Sequence, residues 1–325
     1  MTGEGMAGPS SIHWARPVGR PDKRLRRDQI TYYFGPDLAP ALEVEAGEQI
    51  LLETLDAASG RLQHAEDVGR FTRQRDPNRV NPATGPIAVR GAQPGDELRV
   101  EILDIKLAPQ GYTRFAPGAG VMQAELTAPR AMMVYVEDGM LTCDNGIRFP
   151  ARPMVGVIGT CPASGQCPTA RPGPHGGNLD FNDITIGTVA HLPVFVPGGL
   201  LALGDLHASM GDGEVTGTAI EISGEVTIRV DLVRGTRLRR PWFETSEVWI
   251  TYGHAPELEE AVRLAVLEMA EFLTARLSVS RAEAFLLLTG RGDVRVGQAA
   301  RCGIDATARV LFPKVAPATD HTALA

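Results

Sequence analysis

GPIAVRGAQPGDELRVEILDIK, residues 85–106, decides the class of fold. Ile87-Ala88-Val89 reads as a short apolar strand, Gly91-Ala92-Gln93-Pro94-Gly95-Asp96 as a turn, and Leu98 to Ile105 as a second strand in which apolar and polar side chains alternate. Alternation with period two puts one face on a core and the other in water. The same grammar continues outward. On the N-terminal side Ala41 to Glu45 alternates, Ala46-Gly47-Glu48 turns, and Gln49 to Leu55 reads as a strand with Asp56 at its end. On the C-terminal side Ala131 to Val136, Ile147 to Phe149, Pro153 to Gly159, Glu225 to Leu232 and Val248 to Tyr252 are further strands. No helix of ordinary length is expected in the first half, where residues 57–86 and 111–129 read as long loops rich in turn formers. The chain is therefore expected to be mainly β, with a sandwich- or barrel-like core.

Beyond Pro256 the period changes. Leu258, Val262, Ala265, Met269, Phe272 and Leu273 recur every three to four positions, predicting an amphipathic helix over 256–277 with Pro256 in its first turn. Ser280-Arg281-Ala282-Glu283 predicts a capping box opening a second helix through Leu288. Val294, Val296 and Ala308 to Phe312 read as closing strands. These helices carry no inward polar pair at ligand spacing and read as packing elements. The expected organisation is a polar N-terminal arm over 1–30, a β-rich N-terminal domain over 31–170, and a β-rich site segment leading into a C-terminal α+β portion over 171–325.

Composition narrows the function. With 32 basic against 39 acidic residues, the chain lacks the basic footprint that nucleic-acid binding needs. The N-terminus shows no basic region followed by an apolar run, so a cytoplasmic location is expected. The uncharged segment Ile184 to Gly204 approaches bilayer length, but Pro193, Pro197, His191 and four glycines would break a lipid-exposed helix, so no membrane partner is expected. Cys143, Cys161, Cys167 and Cys302 lack Cys-x-x-Cys spacing and read as free thiols; a metal site or disulfide at Cys161 and Cys167 is the alternative.

The residues able to do chemistry are concentrated between Gly173 and Glu225. Three of the seven histidines (His175, His191, His207) lie there with Asp180, Asp183, Asp205, Asp212, Glu214 and Glu221, on Gly-rich turns between short apolar strands. Imidazoles and carboxylates mounted this way can converge on a divalent metal or form an acid/base site. In Gly173-Pro174-His175-Gly176-Gly177-Asn178-Leu179-Asp180 the glycines allow close backbone approach to a ligand, which makes Gly176, Gly177, Asn178 and Asp180 candidate substrate contacts. Asp205 and His207, at i and i+2, fall on one face of a strand. Asp212 and Glu214 repeat the pairing on a second Gly-rich turn. Glu221 follows the apolar Thr218-Ala219-Ile220, and a buried glutamate needs a partner or a raised pKa. His191, between apolar strands, reads as a satisfied core histidine.

The strings PGPHGGNLD, LPVFVPGG and GDLHASMGDGEVTGTAIEISGEV, with GPIAVRGAQPGDELRVEILDI before them, closely resemble the acetamidase/formamidase family, whose members hydrolyse short aliphatic amides to a carboxylate and ammonia. The likeness runs from about Pro40 to Pro313. It implies a β-rich sandwich with a C-terminal α+β portion, a soluble homo-oligomer (dimer or higher), a small amide substrate, and dependence on a divalent metal, zinc first and calcium second. This chain departs from the family's pattern at Thr216, where relatives often have cysteine, at Cys161, where an alanine is common, and at Thr289-Gly290-Arg291-Gly292-Asp293. The loop from Gln63 to Arg79 also matches poorly, which leaves substrate size open.

Amide hydrolysis requires a strong nucleophile, stabilisation of the oxyanion and an acid for the departing nitrogen. No Gly-Gly-Ser-Ser-Gly amidase signature is present, and no cysteine is flanked by a Glu and Lys pair. A divalent metal supplies the first two needs. The ligands expected are His175, Asp205 and His207, with Asp56 as a more distant candidate, and Glu221, Glu214 or Asp212 as the proton-transferring groups. A non-catalytic β-sandwich binding a cation or small ligand through the same residues, and a metal hydrolase or lyase acting on a larger substrate, are the alternatives.

Overall fold

A computed structural model describes residues 19, 21–122, 124–125, 127–299 and 303–315. Cys302 and residues 1–18 and 20 of the expected arm lie outside them. The fold is mainly β: a curled 19-stranded sheet, antiparallel in all but two of its pairings, with two helices packed on its C-terminal part. Its spine is the 19-residue strand Glu97–Phe115, paired along its length with Ile220–Val233. Val189–Pro193 flanks the first half of that strand and Arg130–Glu137 the second. Gln49–Thr54 adds to the far edge of Ile220–Val233 and shows the period-two burial its sequence implies, with Ile50, Leu52 and Thr54 inside. The main core fills the curl, with Ile50, Leu98, Val100, Leu203, Val226 and Ile228 among its fully buried side chains. Burying each such side chain contributes roughly 1.5–3 kcal/mol.

The second core is helical. Helix α2 (Leu258–Leu277) lays Ala261, Ala265, Met269 and Leu273 against the antiparallel pair Val248–Ala255 and Ala306–Pro313. Contact is close enough that a Cβ on Gly253 would stand 2.3 Å from the Ala261 carbonyl oxygen, which explains the glycine there. Pro256 precedes the helix rather than opening it. Helix α3 (Arg281–Arg291) starts with the expected box: the Ser280 amide donates to Glu283 at 2.7 Å and the Glu283 amide to the Ser280 hydroxyl at 3.3 Å.

Three expectations are corrected. Residues 57–86 are not all loop, because Asp67–Gln74 forms a helix (α1) that seals a small third core with Val68 and Phe71 against Tyr112 and Met133. The strand begun at Glu97 continues through Phe115 instead of ending before a loop at Gly111. The end of the polar arm is structured, with Lys23–Leu25 in parallel pairing with Ile50–Leu52. The sheet also runs without interruption across the expected boundary at 170/171, since Met154–Gly159 pairs with Gly176–Asn178 and Leu201–Ser209.

The uncharged stretch from Ile184 to Gly204 contains the strand Val189–Pro193 and the start of Leu201–Ser209, and no described helix is long and apolar enough to cross a membrane. Cys143, Cys161 and Cys167 are free thiols, and burial pushes Cys161 up to about 11. His191 is held between Glu97 at 2.6 Å and Glu244 at 3.1 Å and stacks on Trp242, so it is the satisfied core histidine expected.

Glu244 gives an acid-stability test. Burial pushes its pKa up, but the bonds from His191 and from Lys314 at 2.6 Å outweigh burial and hold it at about 2. A folded-state pKa below the unfolded value of about 4.3 stabilises the fold above that pH, and the contribution is lost as pH falls toward the folded value. Glu244→Gln is therefore expected to flatten the fall in Tm between about pH 4.5 and 2.5. An unchanged slope would show that this carboxylate carries no acid sensitivity.

Candidate active site

Leu201–Ser209 is the site's central strand, flanked by Met154–Gly159 and by Ala83–Val89 and Ile220–Val233. Register puts His207 opposite Met154 on one side and Glu221 on the other. The His207 Nε2 atom lies 3.5 Å from Glu221 Oε2 and 3.8 Å from Asp205 Oδ1, an electrostatic contact rather than a hydrogen bond. Asp180, on the turn after Gly176–Asn178, joins Asp205 and His207 in one set of donor atoms mutually within 4.8 Å. His207, Glu214 and Glu221 form a second set. All five are buried, His207 completely.

Local backbone explains how so many polar groups fit. Asp180, Asp205 and Glu214 have φ of 53°, 55° and 42°, in the left-handed region that non-glycine residues rarely occupy, and Asn81 beside them has 52°. Each such residue costs on the order of 1–3 kcal/mol and persists only where its surroundings enforce it. Across the strand pair, Gly156 leaves the necessary space: a Cβ there would stand 2.7 Å from Asp180 Oδ1 and 3.1 Å from His207 Cε1. Asn81 donates to Asp205 Oδ2 at 2.6 Å and faces Asn178 Oδ1 at 3.4 Å.

Burial dominates the electrostatics. It raises Glu214 to about 8, with the Asp205 charge adding to it, and raises Glu221 well above the usual carboxylate range, although His207 opposes that shift. Burial works against a charged His207, but Glu221 and Asp205 outweigh it and raise that imidazole's pKa. Both ring nitrogens of His207, Asp205 Oδ1 and Glu221 Oε2 are buried with no hydrogen-bond partner among the described residues. Buried polar atoms are ordinarily satisfied. One imidazole and two carboxylate oxygens without partners among the described residues, with Asp180 beside them, have the chemistry of a divalent-cation donor set, so the residues present fit a metal.

Glu214 and Glu221 open onto a cavity of about 240 Å³. Asn81, Asn178 and Gln298 are among its polar lining residues, and Phe71, Tyr112 and Arg114 line it as well. Asn178 lines the cavity, and Asp180 joins the carboxylate cluster.

Other expected residues are placed differently. Asp56 accepts from the amides of Ala58 at 2.8 Å and Gly60 at 3.1 Å, which commits its oxygens to a turn and leaves it outside both donor sets. His175 is buried with its ring against Phe34, burial lowers its pKa to about 4, and it too joins neither set. Asp212 accepts from the fully buried Arg309 at 2.8 Å and from Asn182 at 2.9 Å, an arrangement that ties loops together. Gly176 and Gly177 do not line the cavity; added Cβ atoms would meet the carbonyls of Ile158 and Arg171 at 2.3 and 2.2 Å. Their glycine identity serves protein backbone rather than ligand approach. Asn81, Tyr112, Arg114 and Gln298 carry no sequence motif that announces them, and only Asn81, in Val80-Asn81-Pro82, bears a turn signal.

A β-sheet curled around a buried imidazole–carboxylate cluster, with a cavity at its mouth, has the makings of an acid/base or metal-assisted active site. The acetamidase/formamidase family model matches residues 21–166 and 163–299, and the chain belongs to that family. It is similar to a crystallised acetamidase from Bacillus halodurans, at 39% identity and a TM-score of 0.85 over 89% of this chain and 97% of that one. A recombinant predicted acetamidase/formamidase from Thermoanaerobacter tengcongensis is 37% identical, with a TM-score of 0.85 over 90% and 95%. Among curated relatives, a formamidase of Methylophilus methylotrophus is 26% identical over 69% of this chain and 70% of its own length. The chain spans 63% of a putative formamidase of Schizosaccharomyces pombe, at 29% identity over 61% of this chain.

Asn81 tests how the cluster is held. Asn81→Gly keeps the left-handed backbone and removes only the amide that fixes Asp205. Divalent-metal affinity, measured by competition with a chromogenic chelator, is expected to fall about 10- to 100-fold, as when groups supporting metal ligands are lost. Unchanged affinity would mean that Asp205 needs no such support.

Proposed function

We propose that the protein hydrolyses short linear amides of the formamide and acetamide kind to a carboxylate and ammonia. The observation that carries this reading is the set of unpartnered buried atoms on His207, Asp205 and Glu221 beside the cavity, in a chain of this family. Asp180, Asp205 and His207 would hold a divalent ion, and their mixed oxygen and nitrogen donors suit zinc first and calcium second. When bound, that ion supplies positive charge that polarises the amide carbonyl and acidifies water.

The chain's own residues do the rest. Asn81, Asn178 and Gln298 present polar groups with which a primary amide can be oriented. Glu221 is fixed through one oxygen, which accepts from the Ala219 amide at 3.2 Å, while Oε2 stays unbonded. That oxygen takes the proton of the attacking water and returns it to the departing nitrogen, so one water and one amide leave as acid and ammonia. Glu214, which also lines the cavity, is the second candidate for that role. Homo-oligomerisation belongs to the same reading, supported by exposed Phe285, Leu286 and Leu287 on α3.

Ammonia release from formamide, acetamide and longer primary amides by metal-replete protein is the direct test. No release across the panel would refute the reading. Within the site, His207→Ala is expected to lose bound metal and activity together. Glu221→Gln should keep metal and fold and lose on the order of 10² to 10⁴ in rate. A Glu221→Gln enzyme with a lower Tm but normal turnover would pass the proton-transfer role to Glu214.

A further inference from the structure

The cavity is larger than acetamide requires. At about 30 Å³ per water-sized unit, a four-heavy-atom amide fills on the order of 100 Å³, against the 240 Å³ present. The surplus is walled by residues of helix α1 and of the long strand. Helix α1 contributes Phe71 and Thr72, the residue after it is Arg75, and the end of the long strand contributes Arg114.

This wall is cationic. The Arg114 guanidinium lies 5.1 Å from the centre of the Phe71 ring, and that of Arg61 lies 4.9 Å from it. Phe71 is itself anchored in the small core with Val68 and Tyr112. Arg114 makes no ion pair with any described residue, and its charge partly opposes the rise of the Glu214 and Glu221 pKa values. Half-buried over an aromatic face and without a side-chain hydrogen bond to any described residue, this guanidinium is suited to a bidentate bond to a carboxylate.

We infer that this site takes primary amides carrying a carboxylate at the far end of a short chain, with Arg114 binding the anion and the amide directed at Glu221. Neutral acetamide gains nothing from Arg114, whereas a dicarboxylic acid monoamide is fixed at both ends and enters in one orientation. The assignment rests on the amide-hydrolysis reading for its chemistry, but the anion contact itself does not.

The experiment compares succinamate with neutral butanamide on metal-replete protein, by ammonia release and by calorimetric binding, in the parent chain, Arg114→Gln and Arg114→Lys. Succinamate is expected to exceed butanamide in kcat/KM by about ten- to hundredfold, the range of one charge-assisted hydrogen bond, mostly through KM. That ratio should collapse toward one in Arg114→Gln and recover in part in Arg114→Lys, which also controls for folding. Ammonia from both amides without preference for succinamate overturns this inference and leaves amide hydrolysis standing. Arg114-dependent binding of succinamate without ammonia from any amide supports the anion site and refutes hydrolysis. Succinamate binding equally tight in parent and Arg114→Gln overturns the assignment whatever the rates.

Discussion

Burying four carboxylates around one imidazole is the constraint on which the site depends. Asp180, Asp205, Glu214 and Glu221 are buried around His207, and like charges this close cannot all ionise without a cation. Either protons or a metal must balance them, and the raised pKa values of Glu214 and Glu221 express the first option in the bare protein. The contrast with Arg309 is instructive. That fully buried guanidinium is met by Asp183, Asp212, Asn182 and the Val296 carbonyl, so its donors are satisfied and it serves cohesion. Around His207 the donors and acceptors are buried and left over, and that surplus is what distinguishes a site from a structural ion pair.

The backbone is shaped to permit this surplus. Left-handed conformations at Asn81, Asp180, Asp205 and Glu214 aim polar side chains that regular strands would carry elsewhere, and Gly156 clears the volume beside Asp180 and His207. Such strain is retained because a sheet paired on both sides of Leu201–Ser209 over-determines it. The donor atoms are thereby held before any ligand arrives, which reduces the reorganisation that binding and catalysis would otherwise require.

How far the sequence foretold this follows from the range of each signal. Period-two runs such as Gln49–Thr54 and the 3.6-period face of α2 are local, and both were legible. Helix α1 was not, because DVGRFTRQ buries only Val68 and Phe71 and offers too few apolar positions to mark a period. Asp205 and His207 stood out by their spacing and the structure brings them together, although Asp205 leaves the ordinary β conformation. His175, and more distantly Asp56, are ligand candidates by residue type; one ring turns against Phe34, and the other carboxylate is consumed by its own turn. Asn81 and Gln298 reach the cavity only through long-range pairing, 124 residues from Asn81 to Asp205 and 120 from Gln298 to Asn178. No local pattern records contacts of that kind.

If the cluster is a cation site, its position is fixed by the unpartnered atoms rather than by the Gly-rich turns around it. Anomalous diffraction from crystals of active, zinc-loaded protein, collected above and below the zinc edge, tests this most directly. The account predicts a single strong peak about 2.0–2.2 Å from a ring nitrogen of His207 and from a carboxylate oxygen of Asp205. A peak instead beside His175 or Asp56, with none at His207, would contradict it.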